Sequence, residues 1–194
     1  MRLCFFGDSL VNGACDQECL GWPGRICAEQ RSAGNDLTVY NLGVRHETSR
    51  DVARRWRQEA ELRLPADIDG RLVFSFGAND CMVEHGRQRV DFAESLDNVR
   101  AILDGAMGWK PVLFVGPPAA LDPAANQLLA VLSAAMNQVC QGQGVPCLEV
   151  FPALVESPVW KEELARGDGR HPGARGYALL ASLVADWPAW RAWF

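Results

Sequence analysis

Residues 3–10 read LCFFGDSL, an unbroken apolar run that stops at Gly7 and is followed at once by an acid and a hydroxyl. An apolar run with no polar alternation is the pattern of a strand buried on both faces. The same pattern returns at LTVYNLG (37–43), RLVFSFG (71–77), KPVLFVG (110–116) and VPCLEV (145–150). Between these runs the apolar residues fall at helical spacing. Val52, Trp56 and Ala60 do so after a Thr48/Asp51 start signal, and Leu128, Leu129, Leu132 and Met136 do so in a later segment. Parallel neighbours cannot be joined by tight turns. The alternation therefore predicts right-handed crossovers and a three-layer α/β/α sandwich around a five-stranded parallel sheet. Residues 156–177 read as a long connection before the last helix. With 194 residues and no linker, repeat or low-complexity stretch, the chain reads as one domain spanning 1–194.

The net charge of −5 argues against nucleic acid or an anionic membrane as partner, since both demand clustered Lys and Arg. Arginines do gather in RDVARRWRQEAELR, but acids interleave with them, as on a solvated helix face. Seven scattered cysteines, no CxxC pair and three histidines speak against a zinc site. Thiols of this kind suit a reducing compartment. The N-terminus lacks the pattern of a secretory signal, and no window has the length of an apolar span, so the expectation is a cytoplasmic protein without stable membrane anchoring. The aromatic tail DWPAWRAWF is expected to dock on the domain's own core.

In sheets of this class, sites form where the loops gather at the carboxyl ends of the strands. Those ends carry Gly7-Asp8-Ser9, Asn41-Leu42-Gly43 and Gly77-Ala78-Asn79-Asp80, and the last long loop holds Asp168-Gly169-Arg170-His171-Pro172. Each has an ordinary reading, because glycines end strands and Asn and Asp make turns. Together they fill every role of acyl-transfer chemistry. Ser9 is placed to attack, His171 to take its proton, and Asp168, three residues earlier, to orient the imidazole. The Ser9 N–H, the Gly43 N–H and the Asn79 amide are candidate donors to an oxyanion. His46 and His85 do not follow an acid at that spacing. Asp8 and Asp80 read as turn-shaping acids, and Cys81 as a bystander thiol that sensitises the site to alkylation.

Taken together, FGDSL, NLG, GAND and DGRHP resemble the four motif blocks of the SGNH hydrolases, also called GDSL esterases and lipases, across almost the whole chain. The resemblance implies a flavodoxin-like sandwich. It also implies a serine esterase or thioesterase that hydrolyses small to medium acyl esters through an acyl-enzyme, with no cofactor and no metal. By the same match, Ser9, Gly43 and Asn79 form the oxyanion hole, and Asp168 completes the DxxH that ends in His171.

One departure follows Gly43. The chain reads VRHETSR where the family more often carries small or hydroxyl residues, so Arg45 and His46 are expected to narrow or charge the pocket. Pro117, after the fourth strand, and Trp160, in the long loop, are further expected pocket residues. Two alternatives share the fold: an acyltransferase that uses the same site, and a non-catalytic flavodoxin-like binding module. GDSLVNGACDQ has no phosphate cradle and few hydroxyls, which weakens the second. The G-x-S-x-G elbow of the α/β-hydrolases is absent, since Leu10 and Val11 follow Ser9.

Overall fold

The computed structural model describes all of residues 1–194. In chain order the elements are β1 (Arg2–Gly7), α1 (Ser9–Asn12), α2 (Gly21–Ser32), β2 (Thr38–Gly43), α3 (Ser49–Arg63) and β3 (Gly70–Ser75). There follow β4 (Val83–Glu84), β5 (Arg87–Gln88), α4 (Phe92–Met107), β6 (Val112–Val115), α5 (Pro123–Gly142) and β7 (Cys147–Leu148). The chain ends with α6 (Phe151–Glu156), α7 (Pro158–Ala165), α8 (Ala174–Ala185) and α9 (Pro188–Arg191). Five strands form one all-parallel sheet in the order β2-β1-β3-β6-β7, and β4 and β5 form a separate antiparallel hairpin. The five-stranded α/β/α sandwich expected from the periodicity is the fold.

Adjacent side chains on a strand point to opposite faces of a sheet, and β1 shows what each face receives. The Phe5 ring meets Trp22 of α2 edge-on at 5.6 Å and Trp190 of α9 at 6.3 Å. On the other face, Phe6 stacks on Phe74 of β3, and Phe74 meets Trp56 of α3 edge-on. The helical spacing of Val52, Trp56 and Ala60 buries all three against the sheet, and the predicted start of α3 is a capping box. Asp51 accepts from both the backbone N–H and the hydroxyl of Thr48. The aromatic tail docks on the core as expected, with Trp190 fully buried.

Two expectations need correction. Residues 156–177 are not one long connection: Ser157 accepts the Trp160 N–H and Pro158 opens α7, a start signal present in the sequence. The fifth run, 145–150, pairs as a strand only at Cys147–Leu148, because Pro146 has no N–H to donate and Val150 already begins the turn into α6.

The register places the strand ends level. Gly7 pairs with Gly43 on one side and with Ser75 on the other, so the loops after β1, β2 and β3 leave the sheet at the same height. Gly7 also lets the chain turn tightly: a Cβ there would lie 1.9 Å from the Ser75 carbonyl oxygen and 2.5 Å from a Val11 methyl. Substituting Gly7→Ala is expected to lower stability by about 1–3 kcal/mol through overpacking, read as a fall in the urea midpoint with little change in slope.

Candidate active site

The turn after Gly7 presents Ser9. Asp8 occupies the N-cap position of α1 in extended backbone, and its Oδ1 accepts the Leu10 N–H at 2.9 Å. Its other oxygen has no partner, and burial pushes the carboxyl up to about 7 despite that hydrogen bond, with nearby Asp80 adding to the rise. Asp8 therefore shapes the turn, as the sequence suggests. Ser9 is the first residue of α1, where the N–H has no acceptor within the helix.

His171 arrives from the loop between α7 and α8. Asp168 folds that loop into a tight turn, with its Oδ1 accepting the N–H groups of Arg170 and His171 at 2.9 Å each. Its Oδ2 lies 2.6 Å from His171 Nδ1, and His171 Nε2 lies 2.7 Å from Ser9 Oγ. Burial would raise the Asp168 carboxyl, but these three hydrogen bonds and the imidazole hold it down at about 2. An ionised carboxylate only accepts, so Nδ1 carries the proton of the neutral ring. Nε2 is left as the acceptor for the Ser9 hydroxyl. The three-residue spacing read from DGRH thus closes a continuous chain from Asp168 through His171 to Ser9.

Asn79 also faces this cavity. Its Nδ2 donates one hydrogen to the Glu47 carbonyl at 2.8 Å, which ties it to the β2–α3 loop and leaves the second hydrogen for the cavity. Asp80, buried next to it, accepts the Ser49 N–H and fastens the same two loops; its pKa is raised by burial.

Gly43 is a correction. Its N–H donates to Asn41 Oδ1 at 3.1 Å, and a Cβ there would meet the Asn12 backbone nitrogen at 2.2 Å. The glycine serves close packing of β2 against α1 and does not line the cavity. The residues of this loop that do line it are Arg45 and His46. His46 has φ 67, and the backbone N–H groups of both residues donate to nothing within the protein.

The cavity has a volume of about 350 Å³. Ala124, Ala125, Leu128 and Leu129 of α5 form one wall, and Val83 of the hairpin with Met82 just before it forms another. Neither wall was read from the sequence. The hairpin is too short for periodicity to mark it, although His85-Gly86, with φ 52 and 78, is the signal of a type I′ turn. Two pocket expectations need correction. Trp160 is fully buried and donates its indole N–H to the Ala119 carbonyl at 2.8 Å, so it anchors the loop after β6. Pro117 is buried behind the cavity, and Pro118 lines it. Cys81 also lines it, but burial pushes its thiol up to about 12, with Asp80 adding to the rise, so it holds little of the thiolate that alkylation requires. Cys15, Asp168 and His171 place one ligand atom each within 4.8 Å of one another, but a cation there would take His171 and Asp168 out of the chain that reaches Ser9.

A model of the GDSL-like lipase/acylhydrolase family matches residues 5–179. No curated protein matches the sequence. Among solved structures, a lipase/acylhydrolase from Enterococcus faecalis superposes with a TM-score of 0.77 at 22% identity, covering 95% of this chain and 93% of its own. The acetylxylan esterase Axe2 from Geobacillus stearothermophilus gives 0.74 at 16% identity, covering 94% and 91%. LAE5, an α/β hydrolase from the metagenome of Lake Arreo, Spain, gives 0.72 at 19% identity, covering 94% and 92%. At these identities the likeness establishes a shared fold.

The low pKa of Asp168 has a pH signature. A carboxyl held at about 2 against an ordinary 3.8 contributes stability that is fully present above about 4 and is lost as pH falls towards 2. Asp168→Asn should therefore be less stable than wild type at pH 6, with the difference in urea midpoint shrinking between pH 4 and pH 2. A difference independent of pH over that window would contradict a carboxylate held ionised by these hydrogen bonds.

Proposed function

The chain belongs to the GDSL-like lipase/acylhydrolase family and is a carboxylic ester hydrolase, and on that premise we propose a serine esterase or thioesterase that cleaves small to medium acyl esters through an acyl-enzyme. The observation that carries this reading is the continuous chain from Asp168 Oδ2 through His171 to Ser9 Oγ at the wall of the cavity. Ser9 Oγ attacks the ester carbonyl while His171 Nε2 takes its proton, and Asp168 stabilises the imidazolium that forms. The tetrahedral intermediate places its oxyanion against the Ser9 N–H and the free hydrogen of the Asn79 amide. The backbone N–H of His46 serves as third donor in place of Gly43. Collapse expels the alcohol or thiol, which receives the proton from His171. Water then attacks the acyl-enzyme with His171 as base, and the acid departs.

The cavity lies at the small end of the range for ligand sites, roughly 300–1,000 Å³, and its alanine-rich wall suits a short acyl chain better than a long one. The Geobacillus neighbour is named for the removal of acetyl groups, which agrees with that preference.

The test is hydrolysis of p-nitrophenyl acetate, butyrate, octanoate and laurate by wild type and Ser9→Ala. Ser9→Ala is expected to lose about 10³-fold or more in kcat while keeping its fold, and the wild-type rates to peak among the shorter esters. Turnover that survives in Ser9→Ala would overturn the assignment of the nucleophile. Asn79→Ala should lower kcat by about 10²–10³-fold with little change in KM, since its donor acts on charge that develops in the transition state. A change in KM alone would make Asn79 a ground-state contact.

A further inference from the structure

Almost every arginine of this chain already has an acceptor. Twelve stand in ion pairs with Asp or Glu, and Arg2 and Arg31 donate to backbone carbonyls. Three have neither a carboxylate nor a carbonyl: Arg45, Arg87 and Arg170. Two of these, Arg45 and Arg170, line the cavity that holds Ser9. The third lies on β5, paired with the strand whose Val83 lines the same cavity. In a protein of net charge −5 with acids available throughout, two of the three unpartnered guanidinium groups thus line one cavity.

The two cavity arginines approach the nucleophile from different loops. Arg45 sits beside His46 on the loop tied to Asn79, and Arg170 directly precedes His171. The only hydrogen bond that the Arg170 side chain makes is to the Met82 sulfur at 3.0 Å, a weak acceptor that leaves most of its donors free. The carboxylates around the cavity do not satisfy either arginine. Asp168 is held by His171, Asp122 caps α5 by accepting the Ala124 N–H, and Asp8 is buried beneath Ser9.

We propose that Arg45 and Arg170 form an anion subsite of this esterase, so that its preferred substrates carry a carboxylate or phosphate in addition to the scissile ester or thioester. The inference rests on the esterase reading above. A guanidinium binds either group through paired N–H donors, and the short apolar wall of α5 holds the rest of the acyl or alcohol portion. The subsite also raises the encounter rate of an anionic ester, an effect that added salt weakens.

Two matched pairs separate the two places where the charge can sit. On the acyl side, mono-p-nitrophenyl adipate is compared with p-nitrophenyl hexanoate. On the alcohol side, 4-acetoxybenzoate is compared with phenyl acetate. Wild type is expected to favour the anionic member of at least one pair by about tenfold or more in kcat/KM at low salt, the size of effect a charged hydrogen bond supplies. The preference should shrink at 0.5 M NaCl. The double variant Arg45→Gln/Arg170→Gln should bring that ratio to near one, and the pair that responds identifies which portion of the substrate is charged. Equal or lower rates on both anionic esters would overturn the proposal, as would a ratio that the double variant leaves intact. If neither neutral nor anionic esters show Ser9-dependent turnover in wild type, the esterase reading itself fails and the subsite falls with it.

Discussion

Gly7 is the steric constraint on which the site depends. Its Cα passes so close to the Ser75 carbonyl that no side chain fits, and this closeness lets the chain leave a fully buried strand and enter α1 within two residues. A wider turn would carry Ser9 away from the level at which β1, β2 and β3 all end. The hydroxyl that terminates the first apolar run is therefore held at the sheet's carboxyl edge, between the ends of β2 and β3, by backbone packing, with Asp8 closing the turn through one hydrogen bond.

Arg55 organises the neighbouring loop. From α3 it donates to the carbonyls of Gly7 and Leu42, at the ends of β1 and β2, and it pairs with Glu47 and Glu59. Burial opposes its charge, but hydrogen bonds to Glu47 and Glu59 outweigh that and raise its pKa. The backbone carbonyl of Glu47 in turn accepts from Asn79. A single half-buried cation thus spans the first two strand ends and the loop that positions the Asn79 amide. Removing it would leave buried acceptors unpaired at several points, a larger disturbance than the loss of one surface ion pair.

Much of the site was legible because its chemistry is local in sequence. Asp168 and His171 share one turn, so their spacing already implied contact, and Ser9 and Asn79 sit at strand ends that the apolar runs mark. Gly43 was misread because a glycine at a strand end has two indistinguishable uses in sequence, approach to a ligand and approach to backbone. Only its neighbours Asn12 and Asn41 reveal the second. Trp160 was misread for a similar reason: an indole serves equally as pocket wall or anchor, and its partner, Ala119, is 41 residues away.

The amino-acid sequence by itself determined the layer architecture, the alternation of the five main strands with helices, and Asp168, His171 and Asn79 as the residues that gather near Ser9. Those features follow from periodicity, turn chemistry and short spacings, all carried by neighbouring residues. The tertiary structure alone decided which backbone N–H groups stay free, which walls enclose the cavity and which arginines are left without partners. Each of these is a balance sheet of contacts between distant segments, and a group's availability is known only once every competing acceptor has been placed in space.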